Sequence, residues 1–569
     1  MTSSPAGETT PSRTQRIGWA VLILITLGVC YFSHLGVVGF VGPDEPRYAW
    51  IARDMAETGD WVTPRLYGKP WFEKPPLFYW GAAASFKLFG VSEAAARLPS
   101  AVSALLATLA LAWLAWRTYG EECARWLLLL LPTTVGMIGF SHAAATDMPF
   151  AGMLTIAMVC ATVALGLTPS ENTPILPRTP WLALLLFGFS LGLAVLAKGP
   201  AAIVLSLGAV FFWAFQTKRW HDAFRLLHPA AIASFSITAL PWYLLCARRN
   251  PDFLRIFILE HNFKRYLTPE FQHVQPFWFY SVVLVVAFLP WAATLVGAMV
   301  SGVQKVWRDR ALAPLTSLLL CWSVFCVLFF TISKSKLPGY VLPAIPVAGL
   351  LFARTVEQGL AKRSRILRNL SLSSAVVFAL AAGALAFTGR VAALPAAVNG
   401  SAAAASAVLF LFSLANLFLW LTELKAGSRG RMEPYRALGM VLPIFVVMLS
   451  MNRLIPDFLP GDPSGKTVAR EILSNGIPSG RLTIDGMSRG MHFGLNFYLR
   501  QEIPDWDNAR PLDGYLLLGG SHCETVVRET AWCEDPPIYF KDSQQTLYRV
   551  KLKTSLDGLA GGRQPKQEE

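Results

Sequence analysis

The sequence predicts a polytopic α-helical membrane protein, of about 13 transmembrane helices, with a small soluble α/β domain at its C-terminus. Three observations carry this reading. Of 569 residues, 54% are hydrophobic and only 15% are charged, a balance that soluble globular chains of this size do not keep. The apolar residues fall into long runs, close to the ~20 residues that cross about 30 Å of hydrocarbon. From residue 453 onward the runs shorten, alternate, and are punctuated by Gly, Pro and Asp. The formal net charge of +14 is read as basic cytoplasmic loops, with no nucleic-acid partner implied. The surplus at the functional face suits anionic membrane lipids.

Thirteen apolar segments are long enough to span: 17–40, 93–116, 124–141, 148–167, 181–197, 200–216, 229–247, 276–300, 313–332, 338–356, 368–388, 403–422 and 436–452. The run 17–40 is too long for a signal-peptide core and is read as a retained first helix. The stretch 76–90 is short for a crossing. If it stays on one side, the basic short loops around Arg117/Arg125, Lys218/Arg219, Lys305/Arg308, Lys362/Arg363 and Lys425/Arg429 all share the side of the N-terminus. It is therefore expected to be interfacial or re-entrant. The chain then divides into a membrane domain, 1–452, whose first outer loop is 41–92, and an outward α/β domain, 453–569. Strand-like runs in the latter are RLTID, HFGLNFYL, GYLLLG, TVVRE, PIYFK and TLYRVKL. Cys523 and Cys533 lie together in this region, and an oxidising compartment would let them form a disulfide.

The outer loops hold the charged residues that topology does not explain. The first, VGPDEPRYAWIARDMAETGDWVTPRLYGKPWFEKPPL, mixes acids, bases and aromatic rings at a membrane surface. Asp44 sits at its start, either as a helix cap or as a working carboxylate. Asp147, in the short turn SHAAATDMP, is a second acid on the same side. Glu73 and Lys74 precede a proline pair that fixes an extended backbone; the plain alternative is a surface ion pair worth little. Lys74, Lys198, Arg265, Lys334 and Lys336 are basic against the positive-inside tendency, which favours an anionic ligand. Lys198 could also simply snorkel from a helix end. Tyr340 follows in the SKSKLPGY turn and could donate its hydroxyl to a phosphate oxygen. Glu73 and His261, the latter beside Glu260, are candidates to hold a divalent metal ion of unknown identity. The chain has no Walker A, GxSxG or dinucleotide fingerprint, which disfavours ATP hydrolysis, serine hydrolase chemistry and dinucleotide redox.

The ordered motifs GPDEPRYA, FEKPPLFYW, GVSEAAARLPSA, ATDMPFAG, LAKGP, EHNFKRY and SKSKLPGYVLPAIP resemble the lipid-linked-sugar glycosyltransferases of the C-type membrane fold. They are most similar to the bacterial branch shared by protein O-mannosyltransferase-like enzymes and the aminoarabinose transferases of lipid A. The resemblance covers about residues 15–355. It implies a polyprenyl-phosphate sugar donor, two juxtamembrane helices near 45–58 and 76–90, and Asp44 at the reaction centre with Glu73 and Lys74 at its mouth. In full, it implies transfer of 4-amino-4-deoxy-L-arabinose from undecaprenyl phosphate to lipid A phosphates on the periplasmic side of the inner membrane. In that reading Asp44, Asp147 and Lys74 are catalytic, and Lys74, Arg265, Tyr340, Lys198, Lys334 and Lys336 hold the donor phosphate. The alternatives are another glycosyltransferase of the same fold, such as a protein O-mannosyltransferase, and, from a different class, a lipid transporter. Against transport, paired broken helices are missing from corresponding halves of the sequence.

Overall fold

The computed structural model describes residues 12–168, 180–264, 267, 274–297, 299, 312–361, 366–391, 396–426, 434–458, 463–519, 523–527, 530–540, 543 and 545–553. The chain forms two compact units. The first is residues 1–34, 72–81 and 97–451; the second is 35–71, 82–96 and 452–569. The first loop is thus divided: 72–81 lies with the apolar helices, and its other parts lie with the C-terminal region.

In the first unit every one of the thirteen apolar stretches contains helix. Among the described residues six helices are long and apolar enough to cross a membrane: α1 (Arg13–Phe32), α4 (Glu93–Tyr119), α7 (Asp147–Ala164), α8 (Trp181–Lys198) and those at Pro229–Arg249 and Pro314–Ile332. A seventh is the pair α5 (Glu121–Leu130) and α6 (Val135–Ser141), bent by 65°. Others, such as α9 (Ala201–Thr217), are shorter. This is a membrane protein on composition and helix length together. The α1 start is fixed by a capping box, Ser12 Oγ accepting from Gln15 N–H and Gln15 Oε1 accepting from Ser12 N–H. Buried Trp213, Trp291 and Trp322 anchor the interhelical core, while large apolar side chains such as Leu24, Ile237 and Leu244 point outward, as lipid-facing surfaces require. The segment 76–90 forms the helix α3 (Leu77–Phe89), which is too short to span.

The second unit combines α2 (Asp44–Thr58), the two-residue strands β1 (Arg65–Leu66) and β2 (Lys69–Pro70), and the C-terminal α/β layer. Its sheet has the order β3-β4-β6-β5, from β3 (Leu482–Asp485), β4 (Asp513–Leu518), β5 (Ala531–Phe540) and β6 (Gln545–Leu552). β3 and β4 are parallel, with Leu482 opposite Tyr515, and the other pairs are antiparallel. Alternation along β4 sends Leu517 to one core and Leu516 and Leu518 to the other. β5 is an edge strand whose pairing shifts register between Glu534 and Ile538, across Pro536 and Pro537. Cys523 and Cys533 form the expected disulfide, tying the short helix Cys523–Val527 to β5.

Two strand expectations are corrected. HFGLNFYL lies in the helix Arg489–Leu499, and TVVRE begins in the helix Cys523–Val527. In the first case Ser488 caps the helix by accepting from Met491 N–H, and Leu495 and Leu499, four apart, enter one core. The apolar alternation of a short aromatic run hid a helical face.

Candidate functional site

In the first unit the polar groups gather where apolar helices end. α7 and α8 pack together, and this brings the first residue of α7, Asp147, to the last residue of α8, Lys198. Lys198 Nζ and Asp147 Oδ1 form an ion pair whose side chains are both largely buried. The same ammonium lies 4.7 Å from the centre of the Tyr340 ring and 5.5 Å from that of Phe150, a cation–π arrangement. Tyr340 belongs to the 3-10 turn Pro338–Val341, and its ring centre is 5.3 Å from that of Phe330. The turn can approach only because residue 339 is glycine: a Cβ there would meet Asp147 Oδ1 at 2.6 Å. Tyr280 Oη donates to Leu337 O at 3.3 Å and steadies the same turn.

The remaining basic residues of the SKSKLPGY turn separate. Lys336 is buried and donates to Gln275 O at 3.1 Å, whereas Lys334 is exposed. Glu73 and Lys74 do not make a surface ion pair. Their charged atoms meet at 3.1 Å with side chains only 10% and 13% exposed, so neither charge is diluted by bulk water. The preceding Phe72 anchors the segment, its ring 5.2 Å from Phe253, which in turn stacks on Phe257 at 5.7 Å. These aromatics lead into a π-helix, Arg255–Lys264, that carries Glu260 and His261. Such widened turns recur at functional sites. Glu260 accepts from Arg255 at 2.6 Å on the exposed face of that helix. Arg265 lies outside the described residues.

The metal expectation does not find a complete donor set. Among the described residues no three His, Cys, Asp or Glu side chains converge as ligands, and the Glu73 carboxylate is engaged by Lys74.

In the second unit Asp44 opens α2. Pro43 is the cap residue and makes no side-chain cap bond, so Asp44 is the first helical residue and not the cap. Its carboxylate pairs with Arg47 one turn along. Arg47 also donates through Nε to Pro43 O at 3.0 Å, and its guanidinium carbon sits 5.6 Å from the Trp71 ring centre and 5.2 Å from that of Phe493. Asp44 keeps 51% of its side chain exposed against 8% for Arg47. The carboxylate is thus held from behind and open in front. Glu45 turns back to accept from Val41 N–H at 2.7 Å, satisfying a donor ahead of the helix.

Sequence reasoning missed the groups that support α2. The helix Arg489–Leu499 presents successive residues to the first loop and its two edges. Asn496 donates to Tyr67 Oη at 2.9 Å, and burial pushes the Tyr67 phenol up to about 12. The Phe497 carbonyl accepts from Arg53 at 3.2 Å. Tyr498 Oη donates to Glu93 at 2.9 Å and accepts from Phe40 N–H, and Lys466 completes the set at 2.7 Å from Glu93. The i,i+3 spacing of Asp44 and Arg47 was readable as a helical pair; nothing local marks Phe493 or Tyr498.

Residues 13–257 match the family model for dolichyl-phosphate-mannose-protein mannosyltransferase. A relative from Serratia proteamaculans, an undecaprenyl phosphate-alpha-4-amino-4-deoxy-L-arabinose arabinosyl transferase, is 34% identical over 62% of this chain and 61% of its own. One of the same name from Pseudomonas aeruginosa is 32% identical over 65% and 66%. The chain thus spans about three-fifths to two-thirds of the length of these relatives. The crystal structure of ArnT from Cupriavidus metallidurans bound to undecaprenyl phosphate superposes with a TM-score of 0.75 at 22% identity, covering 96% of this chain and 99% of that one. The resemblance read from the motifs is borne out: the chain has the fold of that ArnT, and over residues 13–257 it is similar to the protein mannosyltransferase family.

Proposed function

We propose that this protein transfers 4-amino-4-deoxy-L-arabinose from undecaprenyl phosphate to the phosphate groups of lipid A. The observation that carries the reading is the similarity, above 30% identity, to transferases named for that donor. In the reaction the bond between the anomeric carbon and the donor phosphate oxygen breaks, and a bond from that carbon to an acceptor oxygen forms. Undecaprenyl phosphate leaves with the electron pair. Its developing charge needs cations and donors, a role we assign to Lys74, Arg265 and the Tyr340 hydroxyl. Lys74 is suited to it, since its ammonium is sheltered from water and fixed by Glu73. An acceptor phosphate is already an anion, so it needs orienting and not deprotonating; the half-open Asp44 carboxylate would accept from its remaining hydroxyl or from the sugar. Asp147 and Lys198 would act further back, holding Tyr340, while the exposed Lys334 would extend the basic surface and the buried Lys336, bonded to Gln275 O, would add its charge from beneath. A divalent ion at Glu73 and His261 would need ligands from outside the His, Cys, Asp and Glu set of the described residues.

The topology that goes with this reading has thirteen crossings in the inner membrane, residues 1–452 forming the membrane domain and 453–569 a periplasmic domain. The disulfide between Cys523 and Cys533 supports an oxidising location for the latter. A second reading, sugar transfer to protein, is favoured by the family model that matches 13–257; there Asp44 would take a proton from a Ser or Thr hydroxyl. The test is the purified full chain with aminoarabinosyl undecaprenyl phosphate and lipid A, read by mass spectrometry of lipid A. Gain of one or two aminoarabinosyl groups is expected. Modification only of peptide, from a mannosyl polyprenyl phosphate, would replace the proposal by the second reading.

A further inference from the structure

We infer that the helix Arg489–Leu499 is a positioning element for the Asp44 carboxylate, acting through Phe493 and Arg47. The inference rests on the transferase reading above for what Asp44 does, but not for how it is held. Arg47 is the group that pairs with Asp44, and its contacts include the Pro43 carbonyl at 3.0 Å, the Trp71 ring at 5.6 Å and the Phe493 ring at 5.2 Å. Pro43 and Trp71 belong to the same stretch of chain as α2. Phe493 comes from more than four hundred residues away in sequence.

The helix reaches α2 at its start and not merely along its side. A Cβ on Gly490 would stand 3.1 Å from the carbonyl carbon of Gly42, so the first turn of the later helix rests on the backbone that launches the earlier one. Gly42 itself has φ +71°, a left-handed turn before Pro43. Further along, Asn496, Phe497 and Tyr498 hold Tyr67, Arg53 and Phe40. The first turn of α2 is thereby fixed at both its backbone and its one buried cation. A flexible guanidinium carries a large rotamer entropy, and an aromatic face that holds it in one direction removes much of that freedom from the ion pair. The half-exposed carboxylate then presents to its ligand in a single orientation, which is what a positioned acceptor requires.

The test uses the full-length enzyme with Phe493→Leu, which keeps apolar volume but loses the ring, and Phe493→Tyr, which keeps the ring. Phe493→Leu is expected to lower kcat about three- to tenfold with KM for donor and acceptor unchanged, and Phe493→Tyr to restore it. A purely structural filler would give the same rate with either residue, and that result overturns the inference. Hydrogen exchange of the peptide covering 41–58 is measured on the same samples. Faster exchange in Phe493→Leu than in Phe493→Tyr supports positioning; equal exchange overturns it. Wild-type enzyme silent on aminoarabinosyl undecaprenyl phosphate and lipid A would instead sink the functional reading, and the exchange data would then decide the positioning alone.

Discussion

Asp44 and Asp147 are built alike and exposed differently. Each is the first residue of a helix, where a negative charge meets the positive end of the helix dipole, and each is paired with a cation. Asp147 is 22% exposed and its partner Lys198 11%, and a tyrosine ring and a glycine turn close over the pair. Asp44 is 51% exposed while Arg47 behind it is 8%. The same local pattern thus yields a closed structural joint in one unit and an available carboxylate in the other. What separates them is the partner: a lysine from a second helix closes over its acid, whereas an arginine from the same turn leaves the acid facing out.

The largest effect that would break this comparison is on turnover. Asp44→Asn should fold and purify normally and lose about a hundredfold or more in transfer rate, the scale of a lost orientation, measured with saturating donor. Near-normal turnover would move the working role to Asp147. Next in size, Lys74→Ala should weaken undecaprenyl phosphate binding about ten- to a hundredfold, measured by direct titration beside Lys87→Ala. Lys87 sits 5.4 Å from the Trp61 ring centre and is left out of the donor site; equal small losses from both would reduce the basic residues to diffuse charge.

Smaller effects sharpen the contrast through stability. Lys198→Met and Gly339→Ala should each cost about 1–3 kcal/mol, the first by leaving a largely buried carboxylate unpaired, the second by driving a methyl group into it. Thermal unfolding in detergent reads both, and an Asp147→Asn background should shrink the two penalties if the joint is one unit. The least of the series is Tyr498→Phe, about 1 kcal/mol for a lost hydrogen bond to Glu93, which keeps its ion pair with Lys466; donor affinity should stay as in wild type.

Much of this architecture can be read from sequence because membrane spans announce themselves through composition. Thirteen apolar runs all contain helix, and the run 76–90, short in sequence, forms a helix of only 13 residues. FEKPP and SKSKLPGY stood out as candidates because prolines, glycine and charge occur together in outer loops next to apolar runs. What could not be read was pairing at long range. Lys198 was readable as a phosphate ligand or a snorkelling helix end, and only the packing of α7 on α8 reveals its pairing with Asp147. HFGLNFYL looked like a strand because its helical face is shared between its own core and first-loop residues hundreds of positions away. Local periodicity does not encode such distant contacts.

The β5 edge has a consequence for how the protein behaves among its own copies. An edge strand exposes backbone donors and acceptors that a neighbouring chain can extend, and this one also bears the well-exposed Trp532 and Tyr539. Pro536 and Pro537 withhold two N–H groups in the middle of the strand, and the register shift between Glu534 and Ile538 bends the run they interrupt. A second β5 laid alongside would find a ladder with missing rungs, so the strand can carry an aromatic rim without offering a continuous template for pairing.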